Sequence, residues 1–262
     1  MSTNKALIVL QENSGRVELP GVVPAPLQDA IFAVIDGLTE TFEDVKTTLQ
    51  SNNRYDVVHL LTDNLCSRAN LLSALVTETK KNRTIDLIVL GHGSSENLVM
   101  KKRPNLSGGS GGNIRSLLTD ANSLGVNALN LRMVYMCNCY GSTLNDDWIA
   151  IGAKASVGSR MNDYMPEPMT TFFVHNWLNG QKVKDAAKNA YQATIPFYSA
   201  IYPLTTRVRY KKVKVPYPCP TLTDPFKICE KEVQVPDGVD FVTNSKVAET
   251  DLVVGGNGNT VF

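Results

Sequence analysis

The chain holds little that would send it out of the cell or into a bilayer. Its first apolar run, Leu7 to Leu10, follows a single lysine and is far too short for a secretory core or a membrane span. A cytoplasmic protein with no membrane partner is therefore expected. Excess charge is also missing: 26 Lys and Arg against 25 Asp and Glu leave a formal charge of +1, which gives no electrostatic case for nucleic acid. Five cysteines (Cys66, Cys137, Cys139, Cys219 and Cys229) are an odd number at spacings that fit no disulfide framework, so reduced thiols are expected. Structural zinc sites pair their ligands across two to four residues, and Cys137-Asn138-Cys139 does not, so no metal is expected either. Histidine is scarcest of all: three positions, His59, His92 and His175.

What is present is an alternation of strand and helix signals. With 262 residues, 43% hydrophobic and 19% charged, the chain is long enough to bury a sizeable core without disulfides. Apolar runs at 6–10, 55–61 and 85–91 read as buried strands. Helix-spaced apolar residues at 27–38, behind Pro24 and Pro26, and helices around 40–52 and 68–81 fall between them. The pattern is βαβαβ, and a right-handed, doubly wound, mainly parallel sheet of about six strands flanked by helices is the economical topology. A short strand at 96–100, a flexible glycine-rich loop at 101–113, a helix at 114–124, a strand at 131–136, a short helix at Asn145–Ile151, a strand at 153–159 and helices at 168–178 and 182–193 follow. From about residue 200 the character shifts. Five of the 13 prolines lie between 196 and 220, and residues 207–215 alternate basic with apolar. The expectation is one domain over 1–199 and a β-rich C-terminal extension over 200–262.

Two strand ends carry the chemistry. IDLIVLGHG delivers His92 and Gly93, and LRMVYMCNCYGS delivers Cys137 and Cys139. Ligands in such sheets gather beyond the carboxyl ends of the strands. A cysteine nucleophile needs a partner that takes and returns a proton near neutrality, which is histidine's role. A glycine after that histidine lets a backbone N–H approach an oxyanion. His59 lies mid-strand and reads as a satisfied core residue, and His175 lies in a helix near Trp177, which leaves His92. Cys66 reads as a small buried hydrophobe, and either cysteine at the strand end can be the nucleophile.

These segments, with GAKASVGSRMNDYMPEPMTTFFVHNWLNGQKVKDAAKNAYQAT, resemble the caspase-like cysteine peptidases, closest in look to the bacterial CHAT-domain branch that includes the separases. The resemblance covers roughly residues 1–195. It implies a caspase-like fold and amide hydrolysis through a thioester, with no cofactor. His92 would be the acid/base, Gly93 an oxyanion donor, and Cys139 the nucleophile, because the family ends this strand with a polar or small residue, a small one and then the cysteine. Asn138 stands where the family usually has alanine. Ser159, Arg160 and Asp163, after strand 153–159, would bind substrate: Asp163 would select a basic P1 residue and Arg160 an acidic one, and basic is favoured. Met161 stands where the family usually has tryptophan. A protein substrate and a regulatory partner are the expected partners. Two rivals stand beside this reading: a catalytically silent caspase-like scaffold, and a Cys-His hydrolase or transferase acting on a non-protein substrate. Lys101, Lys102 and Arg103 read as solubilising loop charges or a processing site, and the basic strand 207–215 as a lysine-protected edge.

Overall fold

A computed structural model describes residues 4–12, 54–163, 168–201, 205–218, 228–242 and 245–262. The helices expected at 27–38 and 40–52, and Cys219, lie outside the described residues. In chain order the elements are β1 (Lys5–Gln11), β2 (Val57–Thr62), α1 (Arg68–Lys80), β3 (Thr84–Leu90) and three two-residue strands, β4 (Gly93–Ser94), β5 (Asn97–Leu98) and β6 (Leu106–Ser107). Next come α2 (Ser116–Ser123), β7 (Leu131–Cys137), α3 (Asn145–Ala150), β8 (Ala155–Ser159), α4 (Met169–Leu178), α5 (Val183–Ile201), β9 (Thr205–Pro218), β10 (Ile228–Val242), α6 (Ser245–Glu249) and β11 (Leu252–Gly256).

The apolar runs become the centre of a six-stranded sheet in the order β11-β8-β7-β3-β1-β2. All neighbours pair parallel except β11, which lies antiparallel on β8 at the edge. Because successive residues of a strand face opposite ways, two cores form. Ala6, Ile8, Leu10, Leu87, Val89, Val134 and Met136 pack with Leu71, Leu75, Leu117 and Trp148 of α1, α2 and α3. Leu7, Val9, Ile88, Leu90, Tyr135, Cys137 and Val157 pack with Phe173, Trp177, Ala186, Ala187 and Ala190 of α4 and α5. The alanines of α5 let it lie close to the sheet. The α/β architecture with a mostly parallel central sheet flanked by helices matches the expectation from the strand pattern.

Burial on both faces explains why β3 and β7 read as nearly continuous apolar runs. Asp86, fully buried within β3, and Arg132 within β7 are the exceptions, and they pair: the Asp86 carboxylate accepts from Arg132 Nε at 2.9 Å, Arg132 Nη2 at 2.5 Å, Tyr55 Oη at 2.7 Å and Trp177 Nε1 at 3.2 Å. Phe262 closes this end of the sheet, with its ring edge-on to Tyr55 and Trp177 and Lys5 Nζ 3.7 Å above it.

One sequence expectation needs correction. The glycine-rich stretch 101–113 is held in place at its centre. Leu106 and Ser107 form β6, Ser107 N–H donates to Asn113 Oδ1 at 2.8 Å, Asn113 Nδ2 donates to the Asn105 carbonyl at 2.6 Å, and Gly109 N–H donates to Asp147 Oδ2 at 3.1 Å. Asparagine side chains here do the work of strand partners. The single strand expected at 96–100 is the middle member, Asn97–Leu98, of a three-stranded sheet with β4 and β6. Helix α5 runs to Ile201, beyond the expected end at 193 and through Pro196. Beyond it, β9 and β10 pair antiparallel in a sheet of their own, and the chain then returns through α6 to add β11 to the central sheet.

Candidate active site

All the candidate residues lie at or just beyond the carboxyl ends of β3, β7 and β8, three neighbours in the sheet. The β3–β7 ladder runs on past the strands, since Gly91 N–H donates to the Cys137 carbonyl at 3.2 Å. The chain then bends, and the His92 carbonyl accepts from Val99 N–H at 2.9 Å, so the backbone beside the imidazole is fixed by the small β4–β5 sheet. The imidazole itself is exposed and has no hydrogen-bond partner among the described residues.

Gly93 is where the two strand ends meet. A Cβ at this position would collide with Asn138 Nδ2 and lie 2.7 Å from the Cys139 carbonyl oxygen and 3.1 Å from that of Asn97. Only glycine permits this backbone approach. Asn138 occupies the contact: it is buried, its Nδ2 donates to the Cys139 carbonyl at 2.9 Å, and its own carbonyl accepts from Ser159 Oγ at 2.6 Å and Gly141 N–H at 3.2 Å. The asparagine that departs from the resembled family's alanine is thus a rivet between β4, the cysteine turn and β8.

Cys139 sits on a sharp reversal from strand to helix. Tyr140 adopts a left-handed backbone conformation (φ 58°), and Gly141–Leu144 form a 3-10 turn leading into α3. A non-glycine residue held there costs on the order of 1 kcal/mol or more. The Tyr140 N–H donating to the Met161 carbonyl at 2.5 Å holds the reversal against β8. Cys139 is half-buried, whereas Cys137 is buried in the core with Tyr135 and Phe173. None of Cys66, Cys137 and Cys139 is in a disulfide, and Cys66 is fully buried.

The loop after β8 covers the thiol. Asp163 N–H donates to Cys139 Sγ at 3.4 Å, and the Asp163 carboxylate oxygens are buried beside it. Burial pushes the Cys139 thiol pKa up and the Asp163 charge adds to the rise, while the amide N–H groups of Asp163 and Cys139 oppose it. The net direction is upward, so the resting group is a thiol.

Two residues expected to bind substrate hold this loop instead. Ser159 is fully buried, and its hydroxyl lies within hydrogen-bonding distance of the carbonyls of Asn138 and Met161. Arg160 turns outward to Asp251, Nη2 to Oδ2 at 2.9 Å, and its N–H donates to the Asp251 carbonyl at 2.8 Å. The same brace continues from α6, where Met161 N–H donates to the Glu249 carbonyl at 2.8 Å and Asn162 Nδ2 to Glu249 Oε2 at 2.8 Å. Of the three, Asp163 alone has its charge next to the thiol.

Sequence reasoning did not find Asn138, Glu249 or Asp251, because each acts through tertiary contacts that no local pattern encodes. Glu12 it could have found: it directly follows the run ALIVLQ, just as His92 follows β3. Lys101, Lys102 and Arg103 are all exposed. Among the described residues no group of three or more His, Cys, Asp or Glu side chains is arranged to hold a metal ion, and no helix is long and apolar enough to cross a membrane. No protein-family model matches the chain, and no curated protein matches it.

Proposed function

We propose that the protein is a caspase-like cysteine endopeptidase that cleaves after basic residues. The observation that carries the reading is the convergence at Gly93, whose bare backbone packs on Asn138 and on the carbonyl of Cys139. That contact brings the strand end bearing a histidine against the one bearing the half-buried thiol, as a Cys-His dyad requires.

In this mechanism Cys139 gives its proton to His92 and attacks the scissile carbonyl. The N–H groups of Gly93 and Cys139 hold the oxyanion, and His92 returns the proton to the departing amine. Water, deprotonated by His92, then releases the acid from the thioester. Asp163 receives the P1 cation; Arg160 is turned outward in an exposed pair with Asp251. The raised thiol pKa and the unbonded imidazole favour one second reading, a silent module of the same fold.

A panel of fluorogenic peptides differing only at P1, run on the wild type, C139A and H92A, separates the two. The peptidase reading expects hydrolysis after Arg or Lys that falls by about 10²-fold or more in either variant. Equal background hydrolysis by all three proteins supports the silent module.

A further inference from the structure

Two polar side chains at this rim have no hydrogen-bond partner among the described residues, and they stand on adjacent strand ends. Glu12 is only 8% exposed, and both of its carboxylate oxygens are buried without a partner. Its N–H extends the β1–β3 ladder by donating to the Leu90 carbonyl at 2.9 Å, which sets the residue alongside Gly91. Its side chain leans into the space that glycine leaves: a Cβ on residue 91 would lie 3.0 Å from Glu12 Cβ and 3.8 Å from Oε2. The next residue is His92, exposed and with its ring unbonded.

An unpaired buried carboxylate is costly, and such a group in a folded protein calls for a cause. An imidazole that must become imidazolium during a reaction is helped by a carboxylate that fixes its ring and its charge. Adjacent strands run about 4.8 Å apart, so Glu12 and His92 lie within side-chain reach of each other. The bend at Gly91 frees His92 from the strand's alternation.

We propose that Glu12 is the positioning carboxylate of His92. When the imidazole takes the Cys139 proton, one ring N–H donates to the Glu12 carboxylate, which stays ionised, and the other faces the sulfur. The role rests on the peptidase reading, but the pairing itself does not require it. Among the described residues, the other titratable groups at the rim are Cys139 beyond β7, Asp163 beyond β8, and Glu96 in the β4–β5 turn.

The test is an NMR titration of the imidazole signals, of which the chain has only three, in the wild type, E12Q and E12D, with peptide kinetics and thermal melts alongside. Across the titration, the His92 ring signals of E12Q differ from those of the wild type, while those of His59 and His175 do not. Turnover falls for every P1 residue alike, by about 10- to 10³-fold. E12D recovers part of both, and the melting temperature of E12Q is unchanged or higher because a buried unpaired charge is gone. An unchanged His92 titration in E12Q overturns the proposal, whether or not the protein melts lower. A loss confined to cationic P1 substrates also overturns it and makes Glu12 a substrate ligand. If the wild type hydrolyses no peptide, the peptidase reading fails while the titration still decides the pairing.

Discussion

At the scale of single residues, the site pairs a reactive position with an unreactive resting state. Cys139 has the amide of Asp163 on its sulfur, which stabilises a thiolate, and the charge of the same residue nearby, which opposes one. Burial, the larger influence, decides the direction. Removing the Asp163 charge while keeping its backbone N–H should therefore lower the thiol pKa. In D163N, iodoacetamide labelling of Cys139 near pH 7 becomes faster than in the wild type, and the rise in rate with pH moves to lower pH, as peptide mapping at a series of pH values would record. Labelling no faster than in the wild type would contradict the assigned influence. The residue types and strand-end placement of His92, Gly93 and Cys139 were legible in the sequence because each lies just past the end of an apolar run. The roles of Ser159 and Arg160 were not: a hydroxyl or a guanidinium in a loop looks the same whether it faces a ligand or a backbone carbonyl.

At the scale of elements, the edge strand β11 and helix α6 act as an outer brace for the loop that touches the thiol. Their contacts are of three kinds: backbone bonds from Arg160 and Met161, the side-chain bond from Asn162 to Glu249, and one exposed ion pair between Arg160 and Asp251. An exposed pair of this sort contributes about 0 to 1 kcal/mol, so the backbone bonds carry most of the hold. R160A should cost no more than about 1 kcal/mol in denaturant unfolding and leave the ranking of P1 residues as it is in the wild type. A variant that gains or loses hydrolysis after acidic residues would return Arg160 to the substrate pocket. The inner strands were readable because burial on both faces writes an uninterrupted apolar run. The two-residue strand β6 was not, since the segment around it is held by Asn105, Asn113 and Asp147 rather than by any strand-like pattern.

At the scale of the whole molecule, acid sensitivity should trace to a carboxylate far from the thiol. Glu78 of α1 is buried, which alone would push its carboxyl up, but hydrogen bonds from Arg83 Nη1 at 2.6 Å, Lys81 Nζ at 3.1 Å and His59 Nε2 at 3.0 Å outweigh burial and lower it below 4.5. A carboxyl whose folded pKa is depressed stabilises the fold above its unfolded value, and that contribution is lost as the pH falls through the folded value. The wild type should lose melting temperature more steeply than E78Q below about pH 4.5, with the two curves converging in acid. Parallel curves would remove Glu78 from the account. His59, read as a satisfied core residue, is satisfied by this cluster, though at the margin of the core. The overall α/β arrangement was legible in the alternation of apolar runs and helical spacing. Asp86 was not, because a buried acid at the start of a strand announces no partner, and Arg132, Tyr55 and Trp177 reach it from three other parts of the chain.

The central claim is that the half-buried thiol of Cys139, two residues past β7, is the nucleophile and the buried thiol of Cys137, at the strand's end, is not. The most direct measurement is the rate of hydrolysis of one arginyl-P1 peptide by C139A and by C137A under identical conditions. The account predicts loss of turnover by about 10²-fold or more in C139A and retention of most of it in C137A. Turnover that survives in C139A and disappears in C137A would contradict it.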